Sequence, residues 1–301
     1  MDNQYLPYLV CPDAPQQSLV FDAQKSSLES ADGRFSYAIQ QNVPILLPTN
    51  AMEKEMSLKD AELSLKYIEH YNKDAEHYDY FAAYLGEYAH EQRRLQETII
   101  SHVSKDSKHI LDVGCGRAWV AKHFTQKKVA VCSMDISPIN TVRALQQYPS
   151  EYHWAVVADA FQLPFKEHSF DSIITSEVIE HVPDPKLFIA SLLKVLKPNG
   201  TLIITTPYKE KIQHSLCIHC NQSTPHHAHL HSFDEDKLTA IAKEAGAASV
   251  EYEVFLEKAL ILLRTHKLWK NLPFGLWKMI DKTTSKMAKH PSRILLKIKK
   301  K

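Results

Sequence analysis

Three ionisable residues stand close together in the second half of the chain: Glu177, Glu180 and His181. Their i, i+3, i+4 spacing predicts that two carboxylates and an imidazole lie on one face of a helical turn. Such a group can take a proton from a hydroxyl, or it can hold Mg²⁺, which carboxylates favour and which activates a hydroxyl. We therefore treat all three as candidate catalytic residues. In a further interpretation, His181 only anchors its loop.

A second cluster lies in the segment LCIHCNQSTPHHAHLHSF, where two cysteines are followed closely by four histidines. Thiolates and imidazoles at this spacing are typical of a tetrahedral zinc site. The favoured zinc ligands are Cys217, Cys220, His229 and His231. Two alternatives stay open: the segment is a histidine-rich substrate loop, or His229 or His231 instead completes the site at Glu180.

Strand-like and helix-like segments alternate from residue 109 onward, which predicts a parallel sheet covered by helices on both faces. One helix should begin after Asp184, a good N-cap that precedes a proline, and should end before Gly200. Another helix is expected over about 234–245, and the final SRILLKIKKK predicts an antiparallel edge strand. The strands that position the candidate residues are expected near 109–113, 129–134, 153–157, 170–175 and 201–205.

A glycine-rich turn lies in HILDVGCGRAWVAKHF, where Asp112, Gly114 and Gly116 end the first of these strands and open a helix. Glycines let the backbone approach a ligand closely, and the helix N-terminus offers unpaired N–H groups. By itself this turn is shared by dinucleotide-binding proteins and many other α/β proteins. At the end of the second strand, Asp135 can accept both hydroxyls of a ribose. At the end of the third, Asp159 can accept an adenine amino group, with an alanine and a phenylalanine flanking the ring.

Four motifs, LDVGCGRA, MDIS, ADAFQLPF and FDSIITSEVIEHV through LKPNGTLIITTP, closely resemble the class I S-adenosylmethionine-dependent methyltransferases over about residues 106–250. The resemblance implies a Rossmann-like, doubly wound, mostly parallel seven-stranded sheet and S-adenosyl-L-methionine as cofactor. In this family the glycine-rich turn approaches the methionine part of the cofactor. Ala118 stands where the family usually has a third glycine, and alanine is small enough to leave cofactor binding intact. The implied cofactor-binding residues are Asp112, Gly114, Cys115, Gly116, Asp135, Ile136, Asp159, Ala160, Phe161 and Ser176.

The Glu177-x-x-Glu180-His181 segment resembles two families of this class, the ubiquinone-biosynthesis O-methyltransferases and the small-RNA 2′-O-methyltransferases. Both families use the segment around a divalent cation. In the small-RNA family, a histidine from the region of His229 and His231 completes that site. Many other relatives have a similar Glu-His-Val segment and no metal.

Two smaller regions precede the domain expected over 106–301. Residues 1–50 predict a small separate β module that resembles the zinc-ribbon-like activator subunits of tRNA methyltransferases. Cys11 remains from that pattern, but Ala14 stands where a second cysteine would, so the zinc site is lost and the module is structural or partner-facing. Residues 51–105 predict a helical cap or linker. Its tyrosines either cover the cofactor cleft or pack the helices against each other: Tyr67, Tyr71, Tyr78, Tyr80, Tyr84 and Tyr88.

Charge is distributed unevenly along the domain. Residues 264–301 hold twelve Lys or Arg and the single acid Asp281, so this tail carries a formal +11 and the rest of the chain −10. Within it, the basic amphipathic segment 264–290 is typical of peripheral contact with an anionic membrane surface. The same charge would suit an RNA backbone, or the segment packs on the sheet with solvated lysines.

Within the domain, a Cys/His-rich insertion is expected at 208–232.

Length and composition limit the remaining possibilities. With 301 residues, 44% of them hydrophobic, the chain can bury one large core and a small appendage. The start MDNQYLPYLV does not resemble a signal peptide, no run approaches the roughly 20 apolar residues of a membrane span, and five scattered cysteines fit a reducing compartment. We therefore expect a cytoplasmic protein, with peripheral contact at the inner membrane surface through its tail.

The sequence thus predicts a methyltransferase that acts on a hydroxyl of a small or lipid-linked compound, because the Glu-Glu-His group and the amphipathic tail agree. RNA methylation, at a 2′-hydroxyl or a base, is an alternative that the −10 charge outside the tail disfavours. A third interpretation is a non-catalytic scaffold that binds the cofactor and acts through its N-terminal module.

Overall fold

The structure is a computed structural model that describes residues 3–49, 67–216, 221 and 223–300. The apolar, β-branched runs form strands as expected, and β10 begins earlier than predicted because a bulge before Thr201 keeps Leu196 paired with Phe170. The strands are β1 (Val10–Cys11), β2 (Ala14–Asp22), β3 (Ser27–Ser30), β4 (Ser36–Gln40), β5 (Val43–Leu46), β6 (His109–Val113), β7 (Ala130–Asp135), β8 (His153–Ala158), β9 (Phe170–Ser176), β10 (Leu196–Pro207), β11 (His214–Leu216), β12 (Ser223–Pro225), β13 (Ser249–Glu257) and β14 (Pro291–Lys299).

Helices cover both faces of the sheet, and the helix after Asp184 begins at the predicted cap. The side chain of Asp184 accepts a hydrogen bond from the backbone N–H of Leu187, and Asp234 caps the predicted later helix in the same way. The α-helices are α1 (Tyr67–His77), α2 (Gly86–His102), α3 (Trp119–Phe124), α4 (Pro138–Gln147), α5 (Pro185–Val195), α6 (Glu235–Glu244), α7 (Lys258–Leu262), α8 (His266–Trp269) and α9 (Phe274–Ala288).

The central sheet has the strand order β8-β7-β6-β9-β10-β14-β13. Strands β6 to β10 run parallel to one another, and β14 is antiparallel to both of its neighbours. This confirms the predicted doubly wound, mostly parallel arrangement of these seven strands, although the described sheet is larger than predicted, because β1 to β5 extend it to twelve strands. The prediction of β14 as an edge strand is wrong, because β14 lies between β10 and β13. Its apolar residues point to both faces of the sheet and are all buried, so the strand is interior: Ile294, Leu295, Leu296 and Ile298.

The N-terminal strands continue this sheet rather than forming a separate body. Strand β5 pairs in parallel with β8, with Ile45 opposite Val157 and Leu46 opposite Ala158. The ring of Tyr5 stacks on Trp154 with centroids 4.8 Å apart. The module therefore covers what would otherwise be an exposed edge of β8.

The cap and the basic segment meet on one face of the sheet. Helix α2 buries Leu95 and Ile99 against a core that also contains Trp277 of α9. The first part of the predicted cap, residues 51–66, lies outside the described residues. Among the described helices, none combines the length and apolarity that crossing a membrane requires.

Candidate active site

The carboxyl ends of neighbouring parallel strands meet at one edge of the sheet, and a cavity of about 300 Å³ opens there. Open α/β sheets bind ligands at this edge, because the loops after adjacent strands leave a crevice. The residues that were predicted to bind the cofactor all line the cavity: Asp112, Gly114, Cys115, Gly116, Asp135, Ile136, Asp159, Ala160, Phe161 and Ser176.

The glycine-rich turn requires its glycines. Gly114 has a φ of 68°, and a Cβ there would lie 2.5 Å from Cγ2 of Val178. Gly116 has a φ of 46°, which other residues rarely adopt, and its N–H donates to Oδ2 of Asp135 over 3.1 Å. Ala118 is also left-handed, with a φ of 51°. Its replacement of the family's glycine therefore costs about 1–2 kcal/mol of backbone strain without opening the turn.

Asp112 and Asp135, the two acids beside the glycine-rich turn, differ in their hydrogen bonding. Burial raises the pKa of both Asp112 and Asp135, and the negative charge of Asp135 raises that of Asp112 further. Asp135 accepts hydrogen bonds from the backbone N–H groups of Gly116 and Ser137, the latter over 3.0 Å. Oδ2 of Asp112 is buried and has no hydrogen-bond partner within the described part of the chain. A buried acceptor of this kind favours a ligand that brings a donor.

Tyrosines of the cap form the opposite wall of the cavity, which supports the interpretation that these helices cover a cofactor cleft. Tyr67 Oη donates to Oδ2 of Asp159 over 2.7 Å and so ties the cap to the end of β8. The ring of Tyr71 meets His181 edge to face, with centroids 5.7 Å apart. Tyr78, by contrast, is exposed and does not line the cavity. The tyrosines that line it are Tyr67, Tyr71, Tyr80, Tyr84 and Tyr88.

The three candidate catalytic residues do not share a face of an α-helical turn, and that prediction is wrong. Glu180 and His181 lie in a single 3-10 turn, and Glu177 precedes it in the left-handed conformation with a φ of 57°. Oε2 of Glu177 forms an ion pair with Nε of Arg293, 2.7 Å away. Glu177 and His181 line the cavity, whereas Glu180 lies behind them, almost completely buried.

Glu180 and His181 are both perturbed by burial. Oε2 of Glu180 accepts a hydrogen bond from Thr206 over 3.0 Å, and its Oε1 is buried without a partner among the described residues. Burial and the charge of Glu177 raise the pKa of Glu180 well above its usual range. Burial lowers the pKa of His181 to about 4. Nδ1 of His181 lies 3.3 Å from the carbonyl of Ala228, so Nδ1 carries the proton and Nε2 keeps a free lone pair.

His229 joins this group. One ligand atom each from Glu180, His181 and His229 lies within 4.8 Å of the others, so these side chains can surround one cation. Of the two histidines that the sequence offered for this place, His229 is therefore the one that approaches. Nε2 of His231 instead lies 3.0 Å from the carbonyl oxygen of Val182.

The predicted cysteine and histidine zinc site stays a prediction. Cys217 and Cys220 lie outside the described residues. The two histidines of the set have separate partners, since Nδ1 of His229 is 2.5 Å from Oε2 of Glu210 whereas His231 contacts a backbone carbonyl.

Sequence reasoning missed two residues of this site. Arg293 is far from Glu177 along the chain, and no motif marks it. Glu210 lies within the segment that we assigned to the Cys/His insertion, and only the fold brings it to His229. The sequence contained one usable signal for a further residue, since Arg117 directly follows the glycine-rich turn and lines the cavity.

A family model described as a methyltransferase domain matches residues 87–252, more than half of the chain. Chloroplastic tocopherol O-methyltransferase of Arabidopsis thaliana is 36% identical over 107 residues, which are 34% of this chain and 31% of that protein. Ubiquinone biosynthesis O-methyltransferase of Hydrogenovibrio crunogenus is 26% identical over 178 residues, which are 54% of this chain and 73% of that protein. The chain spans less than half the length of the first four curated relatives that it matches.

The fold also matches solved structures. The crystal structure of an S-adenosylmethionine-dependent methyltransferase from Mesorhizobium loti aligns with a TM-score of 0.52 and 15% sequence identity. The alignment covers 70% of this chain and 100% of that one. At this identity the similarity concerns the fold alone.

Proposed function

Because this chain belongs to the class I S-adenosylmethionine-dependent methyltransferases, with a methyltransferase domain over residues 87–252, we propose that it methylates a hydroxyl of a small or lipid-linked compound. The observation that carries this proposal is that the acids suited to the cofactor and the imidazole of His181 line one cavity. The names of the relatives in tocopherol and ubiquinone metabolism support oxygen as the acceptor atom.

When bound, S-adenosylmethionine supplies a methyl group on a sulfonium, which is already activated for in-line transfer. The chain's own residues must therefore mainly orient the two reactants. We assign the ribose hydroxyls to the carboxylate of Asp135 and the adenine to Asp159 and Phe161, all of which line the cavity. The carboxylate of Asp159 already accepts hydrogen bonds from Tyr67 and from the backbone of Phe161, which fix its direction.

His181 is suited to receive the proton of a hydroxyl acceptor. Its lowered pKa keeps the imidazole neutral at pH 7, and its proton on Nδ1 leaves Nε2 as the acceptor. The rings of Tyr71 and His229 pack edge to face with this ring, with centroids 5.7 Å and 4.8 Å away, and limit its movement. A base is useful for an oxygen acceptor, because a hydroxyl carries its proton at neutral pH.

As an alternative to His181 acting as the base, the group formed by Glu180, His181 and His229 fits a divalent cation, because Oε1 of Glu180 is buried and unpaired among the described residues. One carboxylate and two imidazoles are closer to the ligands that zinc takes than to the oxygen shell of magnesium. Glu177 contributes less to such a site than the sequence suggested, since its carboxylate is engaged by Arg293. A cation held here would lower the pKa of a bound hydroxyl.

The basic segment supports a peripheral contact with anionic lipid. Trp277 is buried and stacks with the guanidinium of Arg94 at 5.1 Å, so one face of the segment is anchored to the domain. The segment and the two residues before it expose large apolar side chains, with exposed lysines among them, which suits the interfacial region of a membrane. These apolar side chains are Leu262 and Leu263, directly before the segment, and Leu268, Leu276, Met279 and Met287 within it.

The test is a methyl-transfer assay with S-adenosylmethionine labelled in the methyl group and a fractionated extract of small molecules and lipids. We expect label in a product with a new methyl ether, identified by mass spectrometry. His181→Ala should reduce the rate by about 100-fold or more, the range for loss of a general base.

His290→Ala is the matched control, because His290 is exposed and does not line the cavity. It should leave the rate unchanged. Label in nitrogen or carbon products only, or full activity of the His181 variant, would contradict O-methylation by this site.

A further inference from the structure

A short loop of the cap, residues 78–85, joins α1 to α2 and forms part of the cavity wall that faces the glycine-rich turn. The ring of Tyr80 lies 3.4 Å from the position that a Cβ of Gly116 would occupy. The ring centroid of Tyr84 lies 3.8 Å from the guanidinium carbon of Arg117. Because the inner side of the loop packs directly on the turn, a ligand reaches the turn from this side only when the loop moves away.

The loop ends at a residue that can act as a hinge. Gly86, the first residue of α2, has a φ of 56°, and a Cβ added there would meet no atom within 4 Å, so backbone conformation rather than packing accounts for this glycine. The N-cap of α2 is Leu85, which offers no side-chain hydrogen bond to the first turn. Rotation at Gly86 can therefore move the loop while Leu95 and Ile99 keep α2 in the core.

Arg143 of α4 holds the loop from outside. Its Nη2 forms an ion pair with Oδ1 of Asp79 over 2.7 Å, and its guanidinium carbon lies 4.6 Å from the ring centroid of Phe81. Oδ1 of Asp79 also accepts a hydrogen bond from the backbone N–H of Phe81 over 3.0 Å. The hydrogen bond from Arg143 holds the pKa of Asp79 below its usual range, so the pair is charged at neutral pH. One arginine thus engages both the acid that organises the loop and the ring next to it.

Helix α4 is a fixed support for this contact. Its N-cap, Ser137, is buried, and its side chain accepts a hydrogen bond from the backbone N–H of Ile139. Asn140 of the same helix lines the cavity, with Nδ2 3.4 Å from Oδ2 of Asp135. Arg143 therefore connects the loop to the layer of the domain that carries the cavity floor.

The contact between Arg143 and Asp79 is weak enough to open. Both side chains are accessible to solvent, and an exposed ion pair contributes little to stability and is screened by salt. None of residues 78–85 is buried, so little apolar burial opposes movement of the loop. The closed position of the loop therefore depends on a few surface contacts, among which that of Arg143 is the one ion pair to the loop in the described part of the chain.

We propose that residues 78–85 form a lid over the cavity and that Arg143 is its latch, a positioning residue that sets how often the cofactor enters and its product leaves. This inference rests on the proposed function, since it requires S-adenosylmethionine in the cavity. It makes a separate claim, however, because with a rigid cap the rates of binding and release would not depend on an ion pair outside the cavity.

The test is stopped-flow measurement of S-adenosylhomocysteine, the demethylated product, binding to the full chain and leaving it. Tryptophan fluorescence follows both steps, because Trp119 lines the cavity. Arg143→Met should raise the association and dissociation rate constants by about two- to fivefold, the range for loss of an exposed ion pair. Because the latch closes over the empty and the occupied cavity alike, Kd should change by less than about twofold. Higher ionic strength should accelerate the wild type in the same way, and the variant much less.

Arg34→Met is the matched control. Arg34 also pairs with an aspartate, Asp32, and lies over an aromatic ring, that of Phe35, but it belongs to the N-terminal module and does not line the cavity. It should leave both rate constants unchanged. The charge-reversed pair, Asp79→Arg with Arg143→Asp, should return both rate constants toward those of the wild type. Thermal unfolding of each variant verifies that the fold is retained.

Unchanged rate constants in Arg143→Met would overturn the lid. Faster dissociation with unchanged association would also overturn it, since Arg143 would then only stabilise the bound state. Equal acceleration by Arg34→Met would trace the effect to net charge and not to the latch. If the wild type binds neither S-adenosylhomocysteine nor S-adenosylmethionine, the proposed function itself fails and this inference fails with it.

Discussion

Nε of Arg293, on β14, lies 2.7 Å from Oε2 of Glu177, which follows β9 and lines the cavity. Burial lowers the pKa of Arg293, but the negative charges of nearby acids, chiefly Glu177, Glu180 and Glu91, outweigh this and raise it. Strand β14 therefore does more than complete the sheet: it supplies the positive charge that compensates the partly buried Glu177 and the fully buried Glu180.

Replacement of Arg293 by methionine should destabilise the fold by about 3 kcal/mol near pH 8, because the partly buried Glu177 and the fully buried Glu180 lose their counter-charge. Burial already raises the pKa of Glu177, and Arg293 opposes that rise. A carboxyl with a raised folded pKa binds more protons folded than unfolded, so its contribution to stability falls as the pH rises above the unfolded value of about 4.3. The deficit of the variant should therefore shrink toward pH 4, as measured by urea unfolding across that range.

Lys297→Met is the matched control on the same strand, since Lys297 pairs at 3.5 Å with the exposed Glu251. An exposed ion pair contributes about 0–1 kcal/mol, so this variant should unfold almost like the wild type. If the loss of stability in the Arg293 variant does not depend on pH, the loss comes from packing and not from the missing charge.

The variants Glu180→Gln and Cys217→Ser distinguish the two proposed metal sites, which are the group of Glu180, His181 and His229 and the Cys/His cluster. Glutamine keeps an oxygen for the hydrogen bond from Thr206 and removes the anionic ligand. If the cation lies at Glu180, His181 and His229, Glu180→Gln should weaken its binding by at least about 10-fold while Cys217→Ser leaves it unchanged. Metal content after dialysis is the measurement. Loss of metal in the cysteine variant alone would instead assign it to the Cys/His cluster.

The N-terminal strands should stabilise the domain that they extend. Leu46, on β5, is fully buried beside β8, and Leu46→Ala should cost about 2–5 kcal/mol. Val20, in the same module, is 55% exposed, and Val20→Ala should cost less than about 1 kcal/mol. Thermal unfolding should show one transition that shifts in the first variant. Two separate transitions would show that the module unfolds independently.

The membrane contact should depend on the exposed leucines within the basic segment and directly before it. We expect the triple change Leu262→Gln, Leu263→Gln and Leu268→Gln to abolish retention on vesicles that contain phosphatidylglycerol, because it removes apolar surface and keeps every lysine. Sedimentation with the vesicles measures retention. Val20→Gln is the control, because Val20 is an exposed apolar residue of the N-terminal module. Undiminished retention of the triple variant would leave only nonspecific charge attraction.

Local patterns in the sequence predicted individual strands and the starts of helices. The apolar run identified β6, which spans His109–Val113 as expected. The cap residue Asp184 identified the start of the helix that follows it. The acids at strand ends were also predictable, because parallel strands bring their carboxyl ends to the same edge of a sheet.

Long-range pairing and backbone conformation were not predictable from these patterns. Arg293 reaches Glu177 because β14 inserts next to β10, a crossover that no local pattern indicates. The positive φ of Glu177 breaks the helical spacing from which we had placed it on a shared face. The choice of His229 over His231 depends on a loop that pairs the backbone N–H of Leu230 with the carbonyl of Glu180.

The most direct test of this account is calorimetric titration of S-adenosylmethionine into the wild type, Asp135→Asn and the exposed control Asp106→Asn. We predict saturable binding by the wild type and the control, and binding weaker by about 10- to 100-fold in Asp135→Asn, because that residue would lose charged contacts with the ribose. No binding by the wild type, or undiminished binding by a folded Asp135→Asn, would contradict the assignment of this cavity to the cofactor.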